Sequence, residues 1–393
     1  MVKRSPTDVP LSRLRPHALA LTIGLLLLVG LWLLPDLSPP PEPTLPEIEL
    51  VRARLIAVEP PGTDPTKPDA RVEILSGPRE GTVTVAWLQG PTGSQETPRF
   101  DVGDEVIVGI SPEPDGEFVA VNDLWRMPTI ALLLGIFAVA VTVVGGWRGV
   151  RSLLGLALTL AVITRVVVPL ILAGWNPLWV AVAAASGVTA VTFVLTEGAR
   201  RSTAAAALGT FVALALAGTL ASVFNAAARF SPLQGSEELA FLQTIVRPDL
   251  DLGGLLFAAI IFGALGILDD VTITQAATVQ ELFDADPRAS RLDLARRAMN
   301  VGRSHIAATV NTLVLAYVGA SLPLIVLFAA GHQDPLLIAS QEIVAVEIIR
   351  ALVGSIGIVA AVPITTAVAV LLAGRALPVV GDGSGRIVAR GWD

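Results

Sequence analysis

Residues 252–270 read Leu-Gly-Gly-Leu-Leu-Phe-Ala-Ala-Ile-Ile-Phe-Gly-Ala-Leu-Gly-Ile-Leu-Asp-Asp, an uncharged apolar run that closes on Asp269 and Asp270. A helix needs about 20 apolar residues to cross about 30 Å of hydrocarbon, so this stretch reads as a membrane span with two acids at its end. The next apolar run opens with Arg303, His305 and Thr309 and carries Asn311 and Thr312 inside it. Charged and strongly polar side chains at that depth are unfavourable unless hydrated, paired or neutralised, so they mark function before any other feature does.

Similar runs recur along the chain. With 53% hydrophobic residues among 393 and a mean hydropathy of +0.69, the sequence has too little polar surface for a soluble domain of this size. Eight spans are expected: 18–34, 129–146, 152–172, 178–196, 204–224, 252 to about 272, 305–329 and about 348–373. The fold class is therefore an all-α polytopic membrane body of about eight transmembrane helices. The absence of cysteine excludes disulfides, thiolate metal sites and cysteine nucleophiles. His17, His305 and His332 are too scattered for a local metal motif. Neither a phosphate-cradling glycine-rich loop nor a Gly-x-Ser-x-Gly elbow occurs, so no enzyme activity and no cofactor are expected.

Arginine placement sets the orientation, because cytoplasmic loops retain positive charge. Lys3, Arg4, Arg13 and Arg15 precede the first span, Arg148 and Arg151 follow the second, and Arg200 and Arg201 follow the fourth. Arg288, Arg291, Arg296, Arg297 and Arg303 follow the sixth, and Arg375, Arg386 and Arg390 follow the last. With eight spans all of these lie on one side, which places both termini in the cytoplasm and makes the chain a multi-pass protein of the cytoplasmic membrane. The first span lacks a small-x-small cleavage site and reads as a retained anchor. The expected organisation is an N-terminus and anchor over 1–35, an extracytoplasmic stalk and β-domain over 36–124, a seven-helix body over 125–375 with a cytoplasmic hairpin at 279–303, and a tail over 376–393.

Residues 36–124 carry 6 basic against 17 acidic side chains. A proline-rich stretch to about Pro46 reads as an extended stalk. Beyond it, Arg71-Val-Glu-Ile-Leu75 and Thr82-Val-Thr-Val-Ala-Trp87 alternate with period two, and Asp101-Val-Gly-Asp-Glu-Val-Ile-Val108 reads as a turn entering a strand. Five or so short strands in this length predict a small closed barrel similar to an OB-fold. Its acidity opposes phosphate binding, and no nucleic-acid partner is expected.

Gly263-Ala-Leu-Gly-Ile-Leu-Asp-Asp-Val-Thr-Ile-Thr-Gln275, Gly302-Arg-Ser-His-Ile-Ala-Ala-Thr-Val-Asn-Thr312 and Gly354-Ser-Ile-Gly-Ile-Val-Ala-Ala-Val-Pro-Ile-Thr-Thr366 resemble the YibE/F-like family of bacterial membrane proteins. The last three spans also resemble, more distantly, the protein-export subunit SecF and the resistance-nodulation-division superfamily. In that resemblance Asp270 matches an aspartate that ends one span, Asp269 stands where asparagine is usual, and Thr309-Val-Asn311-Thr312 matches a Thr-Ile-Asn-Thr that opens the next.

The residues allow two readings of this region. His305, Thr309 and Thr312 fall on one helical face with Asn311 beside them, so Asp270 facing that stripe would form a proton or ion relay with Asp269 as its neighbour. Alternatively the two acids sit in wet headgroups, while the hydroxyls and Asn311 cross-link helices. Arg165 interrupts the third span at a depth that Glu342 or Glu347 would match, giving an intramembrane ion pair, or else it snorkels. Glu347 and Arg350, three residues apart, can also pair with each other. Two functions follow: a proton- or ion-coupled permease or export-assisting protein, or a non-transporting scaffold displaying the acidic β-domain. Expected partners are the lipid bilayer, other membrane proteins and further copies of the chain.

Overall fold

The computed structural model describes residues 11–34, 48–58, 68–88, 100–113, 116–230, 250–331 and 334–373. The proline-rich stalk, His332, and the basic tail with Arg375, Arg386 and Arg390 lie outside them. Two compact units emerge: Pro40–Val144, and Met1–Pro39 together with Gly145–Asp393.

In the first unit, β1 (Glu49–Val58), β2 (Ala70–Ile74), β3 (Val83–Leu88), β4 (Glu105–Glu113) and β5 (Gly116–Leu124) close a barrel in the order β1-β2-β3-β5-β4. The pairings are antiparallel except β3 with β5, which is parallel. Alternate residues turn inward, as the two-residue repeat of a strand requires: Val51, Ala53 and Leu55 on β1, Val72 and Ile74 on β2, Val106 and Val108 on β4. Register shifts at Leu55/Ala57 and Ile107/Val108 add the local twist that closure of a small sheet demands. Gly103, at φ 101°, turns the chain into β4, a conformation that costs glycine little. On the rim, both terminal nitrogens of Arg79 bond the Glu117 carboxylate, one at 2.7 Å, and Glu49 lies 3.9 Å from Arg79 Nε. The Arg79 hydrogen bond holds the Glu117 carboxyl below its ordinary value.

The helices are α1 (Leu11–Leu33), α2 (Met127–Val162), α3 (Val168–Leu172), α4 (Pro177–Glu197), α5 (Arg201–Ala228), α6 (Leu252–Ala285), α7 (Arg291–Ala320), α8 (Leu322–Ala330), α9 (Pro335–Ser340) and α10 (Glu342–Leu372). Among the described residues, five helices are long and apolar enough to cross a membrane, or six if α7 and α8, bent by 58°, form one broken span. Its count differs from the eight expected for physical reasons. The second and third expected spans lie in one 46-residue helical stretch, Met127–Leu172, interrupted at Gly146 (φ 55°, ψ −137°). The seventh expected span breaks after Ala320 because Pro323 starts a new helix and cannot continue the old one. Of α1, Thr22–Leu33 is an apolar helix among the described residues.

Between α2 and α3, Ile163–Val167 is a π-helical turn, in which the Val168 N–H bonds Ile163 O. Pro169 explains it: the ring lacks an N–H and would clash with the carbonyl four residues earlier, that of Arg165, so the backbone widens by one residue.

The helical core is built on α10, which packs against α5, α6 and α7, while α6 also packs on α4 and α5. Ala181, Ala185, Ala213, Ala258, Ala264 and Ala361 are buried in it. Small side chains permit the close approach, since apolar burial alone does not bind helices together in lipid. A Cβ on Gly209 of α5 would collide with Thr365 Oγ1 of α10, and one on Gly302 of α7 would sit 2.5 Å from Val362 and 2.9 Å from Gln275 Oε1.

Candidate functional site

Helix α6 carries Asp269, Thr272 and Gln275 at three-residue spacing, one stripe of its surface. The stripe meets hydroxyls from three other helices. Thr189 of α4 donates its Oγ1 to the Asp269 carboxylate, at 3.2 Å to Oδ1 and 3.4 Å to Oδ2, and Thr210 of α5 is set against the same carboxylate. Thr210 and Thr272 share a hydrogen bond of 2.7 Å, and Thr272 Oγ1 also donates to Asp269 O at 3.3 Å. One turn further, Gln275 Nε2 donates to Thr366 Oγ1 of α10 at 2.7 Å and to Ala298 O of α7 at 3.1 Å. Thr189, Thr210, Thr272 and Thr365 are fully buried.

Only one member of this line is ionisable. Asp269 is partly buried, and no cationic side chain lies within ion-pair distance of it among the described residues. Its hydroxyl neighbours and the absence of a salt bridge distinguish it from a structural pair such as Arg350 with Glu347, which meet at 2.8 Å on α10. A carboxylate held this way can bind and release a cation or proton without first breaking an ion pair.

Asp270 lies elsewhere. Successive helical residues are turned by about 100°, so with Leu268, Val271 and Thr272 buried, Asp270 falls on the exposed side. It does not meet the α7 polar residues. On α7 the inward stripe is Leu294, Ala298, Gly302 and Leu313, joined by Ile306, Val310 and Tyr317. Asn311 and Thr312 are exposed, and Thr312 bonds only back to Ala308 O, at 2.9 Å. Thr309 is half-buried. His305 is half-buried with Nε2 enclosed and without a partner among the described residues. Helices α6, α7 and α10 do pack together, but through small and aliphatic side chains, with the polar contacts running through Gln275 and Thr366.

Arg165 is not paired with Glu342 or Glu347. Its guanidinium donates to Trp32 O and Leu34 O at 3.2 Å each and stacks over the Trp32 ring at 5.5 Å. The last carbonyls of a helix lack intrahelical donors and carry partial negative charge, so an arginine there completes the end of α1. Depth matching in the sequence pointed to an acid; the nearer acceptors were backbone.

Sequence reasoning missed Thr189 and Thr210 as site residues. Thr272, Gln275 and Thr366 lie inside strings that carried the family resemblance, which was their one available signal. Compared with known protein families, residues 133–375 match the one described as YibE/F-like protein, well over half of the chain. No curated protein and no solved structure matches the chain.

Proposed function

This chain belongs to the YibE/F-like family, and on that premise we propose that it is a proton- or ion-coupled permease or export-assisting protein in which Asp269 carries the coupling ion. The observation that carries this reading is a carboxyl group without a cationic partner among the described residues, held by Thr189 of α4 and adjoined by Thr210 of α5, inside a helical membrane body. An acid in that setting is unfavourable unless it has work to do, and it joins three helices whose relative movement its charge state would bias. The distant SecF-like resemblance supports the same class but points to Asp270; the choice of Asp269 rests on its contacts with Thr189 and Thr210.

The proposal includes a topology of eight spans with both termini in the cytoplasm and the barrel outside. The 46-residue stretch Met127–Leu172 supports it, being about twice the length that one span needs. The strand order β1-β2-β3-β5-β4 supports an OB-like barrel. The protein acts without enzymatic chemistry, in the bacterial cytoplasmic membrane, with lipid and other copies of itself as partners. A cysteine at exposed Val102 should react with an impermeant reagent from outside intact cells.

The functional test compares Asp269→Asn with Asp270→Asn at matched expression. Protein-dependent proton or sodium movement in reconstituted vesicles should be lost in the first and retained in the second. Full ion movement in Asp269→Asn would remove the permease reading and leave the scaffold in front.

A further inference from the structure

Helix α7 leaves one polar side chain in an unfavourable place. Opposite its inward stripe it carries Ser304, Ala308, Asn311 and Leu315, all exposed, at steps of four, three and four residues. Beyond Arg303 the helix holds no Asp, Glu, Lys or Arg. Asn311 lies about 12 Å along the axis from Arg303 at 1.5 Å per residue, near the middle of a hydrocarbon layer about 30 Å thick. Exposed hydroxyls on the apolar helices turn back on their own backbone: Thr312 bonds Ala308 O at 2.9 Å, and Thr164, Thr219 and Ser222 each bond the carbonyl four residues earlier. Asn311 makes no such bond, and its amide has no hydrogen-bond partner among the described residues. Lipid tails offer neither donors nor acceptors, so a bare amide at this depth is strongly unfavourable, and a polar protein surface suits this face better than lipid does.

We propose that this face of α7 is the contact between two copies of the chain, closed by a hydrogen-bonded pair of Asn311 side chains. Both copies insert in the same orientation, so the two-fold axis that relates them runs along the membrane normal and sets each residue at the axis opposite its own counterpart, at its own depth. An amide is its own complement there, because each Asn311 donates to the other's carbonyl oxygen and accepts in return. A different protein would need a matching polar group at that one depth, whereas a second copy brings it by symmetry. Ser304 and Ala308 are small enough for the backbones to approach, and the alternation of three and four residues is the repeat of helices that cross at about +20°. Leu315, 58% exposed, packs beside the amide pair. Where the face continues past Ser304, Arg297 is already paired with Asp293 at 2.6 Å, so the copies do not oppose bare charges there. The inference rests on the membrane reading above and gives the surface for its self-association; it does not depend on ion coupling at Asp269.

The chain has no cysteine, so single substitutions report the contact without background. In oxidised membranes holding the full-length protein, Ala308→Cys and Leu315→Cys should give disulfide-linked dimers, and Leu208→Cys, on an exposed position of α5, should not. Förster transfer between terminally labelled copies in proteoliposomes of graded protein density gives the dissociation constant. Asn311→Leu, which keeps the volume and removes the bonds, should raise that constant at least tenfold while leaving the melting temperature of the protomer near that of the parent. If Asn311→Leu does not fold, the cysteine variants decide the matter. A dissociation constant unchanged in Asn311→Leu, or cross-linking at Leu208→Cys without cross-linking at Ala308→Cys, overturns this face and leaves self-association through another. A parent protein that stays monomeric at every density overturns both. Ion movement in Asp269→Asn bears on neither result, so the coupling reading stands or fails separately.

Discussion

Replacing Gly209 by alanine tests how tightly α5 and α10 are joined. The added Cβ would overlap Thr365 Oγ1 and stand 3.0 Å from Thr365 Cβ and 3.2 Å from its Cα. The Cα belongs to the backbone, so it cannot turn aside. Rotating the threonine offers little relief, because a β-branched side chain on a helix exchanges one obstructing group for another. Overpacking a well-filled interior costs about 1–3 kcal/mol, and a contact with both side chain and backbone belongs near about 3 kcal/mol. Thr365→Ala removes the overlapping hydroxyl, which is buried without a partner among the described residues, and leaves the Cβ. In that background Gly209→Ala should therefore cost about 1 kcal/mol, a coupling of about 2 kcal/mol in the double-mutant cycle. Reversible unfolding of the four proteins in mixed detergent measures it. Additive effects within about 0.5 kcal/mol would refute the contact and the helix spacing inferred from it.

Gln275→Leu should destabilise the same body by about 1–2 kcal/mol, since two interhelical hydrogen bonds of about 0.6 kcal/mol or more each are lost; the same unfolding assay reads it. Arg165→Leu should leave the core melting temperature nearly unchanged while amide exchange rises over residues 31–34, whose terminal carbonyls lose their donor. The barrel rim should be acid-sensitive. The Glu117 pKa is depressed from 4.5 in the folded protein, so its contribution is full above about that pH and is lost as pH falls through the lower folded value. Amide exchange along β5 should rise in that window, and Glu117→Gln should remove the dependence.

How much of this was legible in the sequence depended on whether a segment had one buried face or two. Three of the barrel strands could be located because Arg71–Leu75, Thr82–Trp87 and Glu105–Val108 alternate; β1 and β5 alternate as well but were expected only as part of an approximate strand number. Apolar helices could be found by length, but their inward faces could not. Residues 252–268 are apolar all round, so nothing in the pattern reveals which of Asp269 and Asp270 turns inward. The choice is made by packing: Leu268, Val271 and Thr272 are buried, and that phase carries Asp269 to the core side. Thr189 and Thr210 were equally silent, each one hydroxyl among several in an apolar span, and their importance depends on which helices become neighbours. The resemblance to SecF pointed at Asp270, one residue and about 100° away from the acid that packing selects.

The π-helical turn at Ile163–Val167 stores one residue more than an α-turn would, and such a surplus is a dislocation that can travel. Hydrogen bonds can hand over one at a time, moving the bulge along the helix while the stretch it passes rotates by about 100° and advances about 1.5 Å. Pro169 pins it at present by denying the Arg165 carbonyl its α-helical partner. Because Arg165 also grips the carbonyls of Trp32 and Leu34, any migration would wind α1 like a line on a reel. Pro169→Ala, by restoring the missing donor, should collapse the surplus and change amide exchange at residues 31–34 together with 163–168. If exchange changed at the bulge while α1 stayed unaffected, the two segments would not be geared together.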